Sequence, residues 1–107
     1  MKTLRTVYAE DMDDIAIGGA IMGTGGGGDP YIGKLMAQQA IRKHGPVKII
    51  DVAELADDAL VVPVCMMGAP TVMTEKLPQG DELMTAFRAL EQLLGKKIDA
   101  VLCGEAG

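Results

Sequence analysis

The sequence predicts an α/β fold: a small parallel or mixed sheet with packed helices, and a glycine-rich helix–turn–helix corner near the N-terminus. Three features lead there. Apolar segments with helical period alternate with short β-branched runs, the pattern of strands joined by helices. Four consecutive glycines, Gly25 to Gly28, stand between two helix-like segments. The run Leu60 to Met67 is almost continuously apolar, as a strand covered on both faces would be.

The elements follow in order. Thr6-Val7-Tyr8-Ala9 reads as a short extended lead-in. Asp11 suits an N-cap, with Asp14 three residues later as a weak capping box. Met12, Ile15, Gly19 and Met22 share one face of a helix over about 12–22. After the glycines, Asp29-Pro30 is a helix-start pair, because Asp caps exposed N–H groups and Pro fits the first helical position. The second helix runs over about 30–44. It places Ile32, Gly33, Met36, Ala37 and Ala40 on one side and Lys34, Gln38 and Arg42 on the other. Gly45 closes it. Strands are expected over 47–52, 60–67 and 99–103. Pro63 marks a bulge or an edge in the second. A polar connection or a short turn of helix fills 53–59. The turn Gly68-Ala69-Pro70-Thr71 and a loop through Gly80 lead to a helix over 81–94, where Leu83, Phe87, Leu90 and Leu94 recur at helical spacing and Gly95 stops it. The later strand–helix–strand spacing favours a parallel crossover. No repeat, linker or internal boundary is evident.

Totals narrow the function. The chain has 107 residues, enough for one small domain with a core. Its net charge of −5 argues against nucleic-acid and anionic-membrane partners. No apolar run reaches the ~18 residues of a membrane span. Met1 to Arg5 lacks a hydrophobic signal core, so a cytoplasmic location is expected. Cys65 and Cys103 are expected to be reduced and buried, since their spacing supports neither a disulfide nor a metal pair. His44 is the one histidine, so neither a His-rich metal site nor a Ser-His-Asp triad can be assembled. There is no serine at all.

Two glycine motifs bear on nucleotide binding. Gly23-x-Gly25-x-x-Gly28, with Asp51 23 residues on, formally fits a dinucleotide fingerprint. That reading needs a strand before the glycines, where a capped helix is the better fit. Asp29 also puts negative charge where a pyrophosphate would lie. Gly28-x-x-x-x-Gly33-Lys34 resembles a phosphate loop, but Leu35 stands where a magnesium-binding hydroxyl is needed.

The carboxylates say more. Asp29 follows the glycine turn, Glu75 follows the Met-Gly-Ala-Pro turn, and Glu105 follows the last strand. Loops at element ends are where binding groups concentrate. Each alone could be a cap or a solvated charge. Together Asp29, Glu75 and Glu105 are the candidate catalytic set, as acid–base groups or metal ligands. Thr24, Gly25, Gly26, Gly27, Gly28 and Gly68 are the candidate substrate-binding residues, through backbone N–H groups. The cofactor is open, with a divalent metal among the options.

Gly23-Thr24-Gly25-Gly26-Gly27-Gly28-Asp29-Pro30-Tyr31, then Met67-Gly68-Ala69-Pro70-Thr71-Val72 with Glu75-Lys76-Leu77, then Glu105-x-Gly107, resembles the N-terminal domain of the S-methyl thiohydantoin desulfurase family, which is associated with hydantoinase and oxoprolinase proteins. The resemblance covers nearly the whole chain. It implies a hydrolase-type protein acting on a small five-membered cyclic amide or thiohydantoin, with a further C-terminal domain. On that resemblance, residues 1–107 are an N-terminal domain incomplete at its C-terminus, and the expected partners are a small-molecule substrate and either a second copy or the C-terminal domain. The alternatives are a dinucleotide-binding module and a non-catalytic, interaction-only fragment.

Overall fold

A computed structural model describes residues 5–23, 28–66, 75–76 and 79–105. The elements run β1 (Thr6–Val7), α1 (Asp11–Met22), α2 (Tyr31–His44), β2 (Val47–Lys48), a 3-10 turn (Val52–Glu54), β3 (Val61–Val64), α3 (Glu82–Leu94) and β4 (Ala100–Cys103). The mixed α/β expectation holds. Where one sheet was expected, the described strands form two: β1 pairs antiparallel with β2, and β3 pairs parallel with β4. The chain divides into two compact units, Met1–Leu55 and Ala56–Glu105. Among the described residues, β1 and β2 pair within the first unit and β3 and β4 within the second.

In the first unit, Thr6 pairs with Lys48 and Val7 with Val47, and Ile49 N–H donates to the Arg5 carbonyl at 2.9 Å. The core is small: Val7, Ala9 and Ile41 are buried, and Met12 packs against them. Asp11 is the first residue of α1 and does not cap it. Its carboxylate reaches back to accept the Tyr8 N–H at 2.8 Å, tying the turn before α1 to the helix start. Of the apolar residues on α1, Met12 alone meets the core, while Ile15, Ile17, Ile21 and Met22 stay exposed. Gly23 closes α1, its N–H donating to the Gly19 carbonyl at 2.8 Å.

The two faces of α2 depart from the expected pattern. Gln38 is buried and Lys34 half-buried, whereas Gly33 and Ala40 are exposed. Each inward polar group finds a partner, which is the condition for burying it. Gln38 Nε2 donates to the Ala9 carbonyl at 3.2 Å. Lys34 Nζ pairs with Asp13 at 3.2 Å and lies 5.5 Å from the centre of the Tyr31 ring. The strand expected over 47–52 is shorter, because Asp51 starts a turn. Ala53 N–H donates to Asp51 Oδ1 at 2.9 Å, and Asp51 N–H donates to Glu54 Oε2 at 2.6 Å, a complete capping box. Arg5 adds an ion pair to Glu54 at 2.9 Å.

In the second unit, β3 and β4 are aligned Val61 to Ala100 through Val64 to Cys103, with α3 between them in sequence. Asp99 clamps the start of the pair: its N–H donates to the Leu60 carbonyl at 2.9 Å, and its Oδ2 accepts the Leu60 N–H at 2.8 Å. Ala100 N–H reaches Leu60 O and Gly104 N–H reaches Val64 O. Alternation along the ladder therefore turns the Pro63 nitrogen to the outer edge, where its missing N–H costs no ladder bond. The expected double-sided burial fails: Val61, Val62 and Val64 are half-buried, and Val101 and Leu102 are about half exposed. Phe87 and Leu90 of α3 are half-buried, whereas Leu83 and Leu94 are exposed. Gly95 takes the left-handed cap conformation at φ 65°.

Both cysteines are free but exposed, correcting their expected burial. Cys103 is in register with Val64, one residue before Cys65, so the two thiols belong to opposite faces of the pair. Among the described residues, no helix is long and apolar enough to cross a membrane.

Two outcomes follow for stability. Ile41→Ala should cost about 2–4 kcal/mol in denaturant unfolding, as a core truncation does. Leu93→Ala, at a residue 81% exposed, should cost less than about 0.5 kcal/mol. A second expectation concerns acid. The Asp51 N–H holds the Glu54 carboxyl below its ordinary value of 4.5, N–H groups at 79–82 do so for Glu82, and the Ile98 N–H does so for Glu91. The folded state therefore binds fewer protons than the unfolded one, and stability is full above about pH 4.5 and falls as the pH drops below it. The urea midpoint should decline between pH 5 and pH 3, and Glu91→Gln should flatten that decline.

Candidate functional site

The candidate residues fall in both units. In the first, Gly28 has φ 83°, a left-handed conformation suited to glycine, and it delivers the chain to Asp29 and Pro30. Pro30 is the N-cap of α2 rather than its first residue, and its carbonyl accepts the Lys34 N–H at 2.8 Å. Asp29 Oδ1 accepts the Tyr31 N–H at 2.9 Å. Asp29 is thus a backbone clasp as well as an exposed charge. Among the described residues, the Ile32 and Gly33 N–H groups find no acceptor, so the start of α2 presents two orphan donors beside a carboxylate. Thr24, Gly25, Gly26, Gly27 and Gly68 lie outside the described residues.

In the second unit, Glu105 follows Gly104 at the C-terminal end of β4 and is exposed. That end of a parallel pair is where open α/β sheets place ligands. Glu75 is exposed too, between segments outside the described residues. Among the described residues, neither Glu75 nor Glu105 takes part in a hydrogen bond or an ion pair. No three His, Cys, Asp or Glu groups among the described residues are grouped to hold a metal ion.

Asp51, the acid of the dinucleotide fingerprint, is engaged in its capping box. The segment before the glycines is the helix α1, not the strand a dinucleotide fingerprint needs. Those two facts remove the dinucleotide-binding alternative.

One arrangement escaped the sequence. Glu91 gathers Arg88 Nη1 at 2.9 Å and the Ile98 N–H at 2.9 Å, folding the turn after α3 back onto the helix. With Arg88, Gln92, Gly95, Lys96 and Lys97 it lines an open hollow of about 290 Å³. Its charges are largely turned on neighbours: Arg88 meets Glu91, and Lys96 Nζ donates to the Asp58 carbonyl. The spacing Arg88–Glu91 at i, i+3 was visible in sequence, but its use as a clasp for residue 98 was not.

The described candidate site thus consists of two N–H donors at the start of α2 and exposed carboxylates at element ends in an α/β chain. Residues 10–107 match the model of the S-Me-THD-like N-terminal domain, and the chain belongs to that family. Nothing among curated proteins or solved structures matches it.

Asp29→Ala should lower stability by about 1 kcal/mol, since it leaves the Tyr31 N–H uncapped. Asp29→Asn, which keeps an acceptor oxygen, should cost markedly less. Chemical denaturation of the two variants side by side reads the difference.

Proposed function

We propose that this chain supplies one side of a hydrolase-type site for a small cyclic amide or thiohydantoin. The supporting observation is the start of α2, where Asp29 stands beside the unpaired N–H groups of Ile32 and Gly33, in a chain of the S-Me-THD-like family. N–H groups at a helix start favour negative charge and cost no reorganisation when charge develops. In this reading they face the ring carbonyl or the sulfur-bearing carbon. Water attacks that carbon, and the proton it loses passes by way of a carboxylate to the departing nitrogen or sulfur. Asp29, Glu75 and Glu105 are the groups for proton transfer or for holding a metal. Glu75 and Glu105 suit it better, because Asp29 is already engaged with the Tyr31 N–H.

A second reading, an interaction-only chain, is favoured by the exposure of Val101 and Leu102 on β4. Turnover separates the two. In a full-length family member, replacing the residues equivalent to Asp29, Glu75 and Glu105 singly by Asn or Gln should lower thiohydantoin or hydantoin turnover by about 10²- to 10⁴-fold for at least one of them. Unchanged turnover in all three would remove the hydrolytic role assigned to these carboxylates.

A further inference from the structure

We infer that Gly104 is a positioning residue, a glycine required for close approach, which fixes how the chain passes from β4 into Glu105. The inference rests on the reading of Glu105 as a site residue for its functional meaning, but its geometry stands apart from that reading. Gly104 N–H donates to the Val64 carbonyl at 2.9 Å, extending the parallel ladder one residue past β4. A Cβ at Gly104 would lie 3.2 Å from Cys65 Cβ, 3.3 Å from the Val64 carbonyl oxygen and 3.7 Å from Cys65 Sγ. The first is fixed to the backbone of Cys65, one residue past β3, and the second is part of the β3 backbone, so no rotamer change moves them away.

Other glycines differ. Gly28, Gly45, Gly80 and Gly95 have positive φ, and a Cβ at any of them would meet nothing within 4 Å. Gly18 and Gly33 also have open space. At Gly104 the requirement is space, not backbone angle. A methyl group there would force Cys65 and Val64 to give by a few tenths of an ångström, a strain borne by the strand end and the Gly104–Val64 bond. Glu105, the next residue, would lose its fixed departure point.

Amide hydrogen exchange on the 107-residue chain tests this. Gly104→Ala should speed exchange of the residue 104 amide by about tenfold or more, as overpacking opens that bond. Cys65→Gly in the same chain removes the nearest clashing atom and should slow it again. Gly33→Ala, with open space around it, should leave residue 104 unaltered. The Gln38 and Ile41 amides report that the first unit stays folded throughout. An unchanged rate at residue 104 in Gly104→Ala would overturn the inference, as would a double variant that exchanges as fast as the single one. Neither result depends on catalysis. Conversely, full turnover after Glu105→Gln in a full-length family member would remove the site reading and leave the Gly104 contact standing.

Discussion

The first unit depends on one buried polar contact, the donation from Gln38 Nε2 to the Ala9 carbonyl. Ala9 lies in the turn between β1 and α1, and Gln38 lies on the third turn of α2. Their bond ties the lead-in to the second helix, and Val7 and Ile41 close the small core around it. An unpartnered amide there would cost more than the bond itself contributes, so the contact fixes which face of α2 turns inward. Lys34, one turn earlier, follows the same side and reaches Asp13 on α1. The two helices therefore meet through a polar seam beside an aliphatic core, where the apolar pattern alone suggested an aliphatic face.

The acidic composition acquires a structural meaning from the same logic. Asp11, Asp29, Asp51, Glu54, Glu82, Glu91 and Asp99 each accept a backbone N–H. Seven of the fifteen acids are thus engaged in fixing turns and element ends. Charge-assisted bonds of this kind are among the stronger local ties available to short elements. They also sort the candidate carboxylates, because a group used as a clasp is less free to move a proton. Asp29 is partly engaged in this way, whereas Glu75 and Glu105 have no such engagement among the described residues.

What could be read from sequence follows the range of the forces involved. Helices ended where glycine allows a cap, as at Gly45 and Gly95, because that signal is local. The parallel partnership of β3 and β4 was legible from the helix between them. The inward turn of Gln38 was not, since its partner is 29 residues away and no periodicity announces it. The division into two sheets was hidden for a related reason. Strands of two residues carry too little pattern to declare their partners. Of the candidate site, the helix start at Asp29 and its role in holding an exposed N–H were visible in the Gly-Asp-Pro sequence, and geometry added which N–H it holds, that of Tyr31. Gly104 looked like one glycine among fourteen until Cys65 was placed against it.

The distribution of exposed aliphatics bears on the proposed site. Small-ligand pockets are mostly apolar walls with a few placed polar groups. Ile21 and Met22 are exposed at the end of α1, just before the glycine run, and Val101 and Leu102 are exposed just before Gly104 and Glu105. In each unit, then, the polar candidates follow directly on uncovered apolar residues. A purely structural cap needs no such neighbours, since a carboxylate clasping an N–H works as well in water beside polar side chains. A cyclic amide or thiohydantoin ring carries hydrocarbon or sulfur beside its N–H and carbonyl groups, and apolar neighbours suit that part of it. In the ring-hydrolase reading we propose, these exposed aliphatics, which precede the candidate residues in sequence within each unit, are available to the apolar part of the substrate ring.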